Sequence, residues 1–185
     1  MARTKAEESK PKPVTEDWLL RSAFHYLERY AASSDGLRRV MRRRAARRVG
    51  GIDQLPADLD AMLDALIARL VELNLLDDKA FAEAKLASLR RRGTSRALAA
   101  AKLQEKGVPR ALIDETLANE ESGEAEAAAA YVRRRRFGPY RNPGRGDRRD
   151  KEIAAMVRAG FPLRLAVAAI DGELEVGPGQ SDASD

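Results

Sequence analysis

Two adjacent carboxylates, Asp77 and Asp78, are the side chains of this 185-residue chain best suited by type and spacing to acid–base or metal chemistry. The chain supplies nothing to complete either. A zinc site takes three or four nitrogen, sulfur or carboxylate ligands, and a nucleophile needs a base within reach. There is no cysteine, and the single histidine, His25, sits beside the apolar Phe24. No Walker loop is present, and Gly144-Arg145-Gly146 lacks the third glycine and the preceding strand of a dinucleotide loop. Arg145-Gly146-Asp147 matches an adhesion tripeptide by chance. The expectation is no catalytic residue, no metal, no cofactor and hence no enzyme. Asp77 or Asp78 has a simpler role, offering a carboxylate to the free backbone N–H groups that begin a helix.

The remaining chemistry is that of arginine. Arg38, Arg39, Arg42, Arg43 and Arg44 run on to Arg47 and Arg48, Arg90-Arg91-Arg92 is followed by Arg96, and Arg133-Arg134-Arg135-Arg136 form a block. Residues three and four apart are neighbours on a helix, so the first set makes a continuous basic face. The other two lie at or just after helix ends, where cations also complement the dipole. The net charge of +5 understates the basicity: the last fifteen residues hold five acids and no base, leaving residues 1–170 at +10. Such a body suits nucleic acid or an acidic protein surface, against the competing reading of scattered solvated charge. Aromatics are only 5% of the chain and few lie among the arginines, so base stacking on single strands is not indicated.

Apolar content of 44% and charged content of 34%, dominated by Ala, Leu and Arg, favour a globular all-α chain. Thr15 caps a first helix lined by Leu20, Ala23, Phe24, Leu27 and Ala31. Ser33 or Ser34 starts a second, with Leu37, Val40 and Met41 inward, stopped by Gly50-Gly51. Pro56 heads a third, whose stripe is Leu59, Met62, Leu63, Leu66, Ile67, Leu70 and Val71. Asn74 can take the left-handed conformation that closes it, and past Asp77-Asp78 a fourth helix carries Phe81 and Ala82 inward to Gly93. Five more follow, divided by Gly107-Val108-Pro109, a polar break at Glu120–Gly123, the breaker-rich segment Phe137–Asp147 and Gly160-Phe161-Pro162. The two Gly-apolar-Pro corners lie 53 residues apart, and Leu103, Leu112 and Leu117 fall on Met156, Leu165 and Ile170. The pattern predicts three tandem three-helix repeats over 14–76, 77–121 and 122–171, stacked into an elongated, curved body. The polar segment 1–13 and the acidic segment 172–185 are expected to be disordered tails. No apolar run spans a membrane and the N-terminus has no secretory signal, so a cytoplasmic, monomeric protein is expected.

The chain resembles the bacterial RecX regulatory proteins. The likeness rests on Leu73-Asn74-Leu75-Leu76-Asp77-Asp78-Lys79-Ala80-Phe81-Ala82, on Ser88-Leu89-Arg90-Arg91-Arg92-Gly93 and on Leu103-Gln104-Glu105-Lys106-Gly107-Val108. Tyr26-Leu27-Glu28-Arg29-Tyr30 and Arg158-Ala159-Gly160-Phe161 extend it over residues 17 to 171. Asn74 departs from the family's usual Gly, and Ser34-Asp35-Gly36-Leu37 lacks the usual capping-box acid. The resemblance implies the same three repeats and no catalytic residue or cofactor. It also implies a negative regulator that lies along the groove of the RecA–DNA filament. Such proteins restrain filament extension, ATP hydrolysis, strand exchange and the co-protease activity of the SOS response. The faces expected to bind the filament, or single- or double-stranded DNA, carry Arg38, Arg39, Arg42, Arg43, Arg90, Arg91, Arg92, Arg96 and Arg133 to Arg136. A DNA-binding helical array acting without RecA is the alternative. Asn74, Asp77, Asp78 and Phe81 are expected to form a structural corner.

Overall fold

The computed structural model describes residues 12–120, 123–142, 144, 146 and 148–174. Among these residues every regular element is helical, and the chain forms two compact units, Met1–Asp78 and Lys79–Asp185. The outer parts of both expected tails, 1–11 and 175–185, lie outside the described residues, as do Arg145 and Asp147. The inner ends of those tails are built into the fold. The Lys12 N–H donates to the Arg48 carbonyl at 3.1 Å, and Gly172, at φ +80°, closes the last helix.

The first unit contains α1 (Glu16–Leu27), α2 (Ser34–Val49) and α3 (Leu59–Glu72). Thr15 caps α1 by accepting from the Trp18 N–H, and Ser33, the first of the two candidate serines, caps α2 by accepting from Gly36. The buried face of α1 is turned one residue from its expected position: Leu19 and Ala23 are sealed, whereas Phe24 is 37% exposed. Leu19 and Leu20 are equivalent by periodicity, and only the packing of α2 and α3 chooses between them. Ala31 lies beyond the end of the helix. On α2 the stripe is Leu37, Met41, Ala45 and Val49, and on α3 Leu59, Leu63, Leu66 and Leu70. Val71 is exposed. A single 3-10 turn at Ile52–Gln54 and a further turn after Pro56 delay α3 to Leu59, three residues later than a proline at its first position would give.

The second unit contains α4 (Asp78–Arg91), α5 (Arg96–Glu105), α6 (Arg110–Ala118), α7 (Glu124–Arg135), α8 (Arg149–Arg158) and α9 (Leu163–Asp171). The α5–α6 and α8–α9 corners are built alike. Gly107 and Gly160 take φ of +85° and +90°. The next N–H returns to the carbonyl five residues back in each, Val108 to Leu103 at 3.1 Å and Phe161 to Met156 at 3.2 Å. Val108 and Phe161 are buried beneath, and Pro109 and Pro162 lead the following helices. This is a Schellman closure, in which a left-handed glycine satisfies the orphan carbonyls of the last turn. Buried side chains fall into three clusters along the chain, one from Val14 to Leu76, one from Ala82 to Leu117 and one from Ala127 to Ile170.

At Gly93 the φ of +72° coincides with a close backbone approach. A methyl group built there would sit 2.7 Å from the Cα of Tyr131 on α7. The end of α4 is therefore pressed against α7 less than one turn before Arg133, and only glycine fits.

Candidate functional site

The arginines divide by what their guanidinium groups already hold. In the first unit Arg38 pairs with Asp64 and Arg42 with Asp60, both on α3, and Arg39 pairs with Asp35 one turn back on α2 at 3.1 Å. These pairs are exposed, so each stabilises by well under about 1 kcal/mol, yet each also neutralises part of the field that a partner would meet. Arg43, the residue after Arg42, is exposed and makes no ion pair among the described residues.

Arg90 sits elsewhere altogether. Its residue is 4% exposed, its Nε donates to Glu120, and its Nη1 reaches Glu124 at 2.7 Å and the Thr94 carbonyl at 2.8 Å. Its Nη2 donates to the Gly123 carbonyl at 3.1 Å. A guanidinium with five planar donors is suited to such a hub, and a charge buried this deeply is tolerated only when its donors are satisfied. Arg90 therefore cannot present its charge to a partner, in contrast to its placement among the binding candidates. Its tripeptide neighbours differ: Arg91 and Arg92 are exposed, with no ion pair among the described residues. Three consecutive arginines look alike in a sequence, but helical rotation of about 100° per residue sends one of them inward.

Glu124 of the hub also accepts from the backbone N–H of Arg96 at 3.1 Å, so the first residue of α5 is held through its main chain and the Arg96 side chain stays exposed. On α7, Arg133 and Arg134 are exposed, and the Arg135 guanidinium lies 5.6 Å from the ring centre of Phe137. Arg136, at φ +55°, closes the helix in the left-handed conformation. The contact of Gly93 with Tyr131 places the Arg91-Arg92 end of α4 beside the helix that ends in Arg133–Arg136.

The corner residues hold structural positions. Asn74 is left-handed at φ +55°, a conformation its short polar side chain tolerates, and the Leu75 and Leu76 N–H groups return to the Leu70 carbonyl. Asp78 Oδ1 accepts from the backbone N–H of Ser34 at 2.7 Å. This bond serves the first turn of α2 rather than that of α4, a tertiary link across 44 residues that local capping rules do not give. Asp77 occupies the position before α4, and Phe81 packs half-buried on the Ala82–Leu117 cluster. Among the described residues no group of acidic or histidine side chains is arranged to hold a metal ion, and no helix is long and apolar enough to cross a membrane.

Sequence reasoning missed a second buried ion pair. Glu152, 4% exposed on α8, accepts from the Gly138 N–H at 2.8 Å and from both Nε and Nη2 of Arg141, at 3.0 and 2.7 Å. Burial pushes its carboxyl up, but the hydrogen bonds from Arg141 and Gly138 and the charges of Arg141 and Arg148 outweigh it, leaving it below the ordinary range. Arg141 belongs to a Gly- and Pro-rich stretch with no periodicity, so nothing in the sequence pairs it with Glu152. Ser95, which caps α5, also donates to the Ala159 carbonyl at 2.6 Å, tying the second and third clusters together.

A family model described as "RecX, second three-helix domain" matches residues 77–117. A curated protein of Myxococcus xanthus named "Regulatory protein RecX" is 39% identical over 166 residues, covering 88% of this chain and 89% of that protein. One of the same name from Agrobacterium fabrum is 33% identical over 149 residues, 80% of this chain and 79% of that protein. A third, from Chlorobaculum tepidum, is 35% identical over 121 residues, 63% of this chain and 72% of that protein. No solved structure matches the chain significantly.

Proposed function

Because this chain belongs to the RecX family of regulatory proteins, we propose that it is a negative regulator of RecA in the cytoplasm. It binds the RecA filament on DNA as a monomer and limits filament extension, and with it ATP hydrolysis, strand exchange and the co-protease activity that triggers the SOS response. The observation that carries this reading is the kinship, over 88% of the chain, with a protein named as a regulator, joined to exposed arginines that make no ion pair among the described residues. Proteins of that charge associate with polyanions and acidic surfaces at rates set by long-range attraction. The contact faces are those of Arg43, Arg91, Arg92, Arg96 and Arg133 to Arg136. Arg38, Arg39 and Arg42 contribute less because carboxylates already partner them. Arg90 is left out of the interface and holds the fold behind it.

The test is RecA-catalysed ATP hydrolysis on single-stranded DNA with substoichiometric protein added. Hydrolysis is expected to fall well beyond the molar fraction of protein present, since blocking one growing end silences many protomers. Unchanged hydrolysis, together with tight binding to naked DNA, would favour a helical DNA-binding array that acts without RecA.

A further inference from the structure

A recess of about 360 Å³ opens in the first unit, lined by Lys12, Trp18, Arg44, Arg47 and Arg48. None of its five lining side chains is acidic. Two of the four cations are held by groups that leave their charge intact. Arg48 Nε donates to the Pro13 carbonyl at 2.7 Å, and its guanidinium stacks 4.6 Å from the centre of the Trp18 ring. Arg44 Nη1 donates to the Ser22 carbonyl and hydroxyl, both at 2.9 Å, and its guanidinium lies 5.3 Å from the Tyr26 ring centre. Carbonyls and ring faces orient a guanidinium without cancelling it, unlike the aspartates that pair Arg38, Arg39 and Arg42 on the same helix. Arg47 and Lys12 are exposed and make no ion pair among the described residues. Residues 44, 47 and 48 share one face of α2, about 6 Å from first to last at 1.5 Å per residue.

We propose that this recess is a binding cradle for the sugar–phosphate backbone of nucleic acid. The Nη groups of Arg48 and Nη2 of Arg44 are pre-oriented for phosphate oxygens, and Arg47 and Lys12 close on the same group as mobile point charges. Four cations with no interleaved acid match a ligand whose negative charges are dense and unbroken, as on duplex DNA with about one per 1.7 Å of axis. An acidic protein face, where carboxylates are sparser and mixed with cations, matches less well. The Arg48 side chain covers a face of Trp18, so the site grips backbone rather than stacking on bases, and its binding is indifferent to sequence. The cradle stands apart from the RecA reading, because naked DNA suffices to test it.

Trp18 is the only tryptophan, so its emission reports this site directly. Full-length protein is titrated with a fluorescent 30-residue oligothymidylate and with a mixed-sequence duplex of the same length, at several salt concentrations. Expected are a salt-reversible change in Trp18 emission and similar affinity for unrelated sequences. Arg47→Ala should lower the magnitude of the log–log salt slope by about 1, and Lys12→Glu with Arg47→Glu should weaken binding by at least about tenfold at 50 mM salt. Both positions are exposed, so circular dichroism should be unchanged. Arg21→Ala, at an exposed pair with Asp17, is the control expected to bind normally. Unchanged affinity and unchanged Trp18 emission in the double variant would overturn the proposal. So would displacement of DNA by a poly-glutamate peptide at equal charge concentration, which would assign the cradle to an acidic protein. Loss of DNA binding with RecA inhibition intact would still confirm the cradle, whereas the converse would leave the regulator reading alone.

Discussion

Arg90 carries a full charge at 4% exposure, facing two carboxylates and two main-chain carbonyls. Removing it strands Glu120 and Glu124 together behind α4, and breaking a buried pair by deleting one partner costs about 3–5 kcal/mol. Arg90→Ala is therefore expected to lower the urea midpoint sharply when unfolding is followed by circular dichroism. Arg90→Lys should recover only part of the loss, since a single ammonium cannot reach four acceptors. A midpoint within error of the unmutated protein would return Arg90 to the surface role its neighbours hold. Glu152 makes a pH-dependent case. Its folded pKa lies below its ordinary 4.5, so it adds stability that is present above that value and fades as pH falls through the depressed one. Glu152→Gln should cost about 1–3 kcal/mol at pH 7, and the difference between the two proteins should shrink as pH is lowered below about 4. A difference constant from pH 7 to 3 would contradict the ionised pairing with Arg141.

At the scale of elements, the second unit is held by corners. Gly107 and Gly160 close α5 and α8 in the same left-handed turn, and Ser95 and the Arg90 hub tie one corner to the next. Gly93 is the most constrained of these residues, because its positive φ coincides with contact on the α7 backbone. Alanine there meets both the left-handed penalty of about 1 kcal/mol and an approach that backbone atoms must move to relieve. Gly93→Ala should lower the midpoint of thermal unfolding by several degrees, consistent with a total of about 2–4 kcal/mol. Gly51→Ala, where nothing lies within 4 Å of the added methyl, serves as its comparison and should change little. Equal effects at the two positions would mean that α4 does not depend on its seat against α7.

At the scale of the whole chain, what distinguishes the surface is how its positive charge is distributed between spent and open groups. Exposed pairs with aspartate quiet the first half of α2, whereas Arg43, Arg47, Arg91, Arg92, Arg133 and Arg134 have no ion pair among the described residues. Interactions among such exposed charges act over a Debye length of about 8 Å at physiological salt and shorten as salt rises. Inhibition of RecA ATP hydrolysis should accordingly weaken between 50 and 300 mM salt, by more than the RecA reaction alone changes. Salt-independent inhibition would assign filament binding to apolar contacts instead.

Residue order by itself determined much of this protein, for reasons that are local. Most of the α2 and α3 stripes, the left-handed Asn74, the paired Gly-apolar-Pro corners and the cap at Thr15 follow from side-chain volume, backbone φ and hydrogen bonds within a few residues. The family motifs lie in those same corners, so they too were visible. What only the tertiary structure decided is the fate of each charge. Arg90, Arg91 and Arg92 are identical in type and adjacent, yet one is buried and two are open. Asp78 reaches back 44 residues, Arg141 finds Glu152, and Arg48 lies on Trp18. Each depends on which surfaces meet after the helices pack, and long charged side chains carry no periodic signature of the partner they will find.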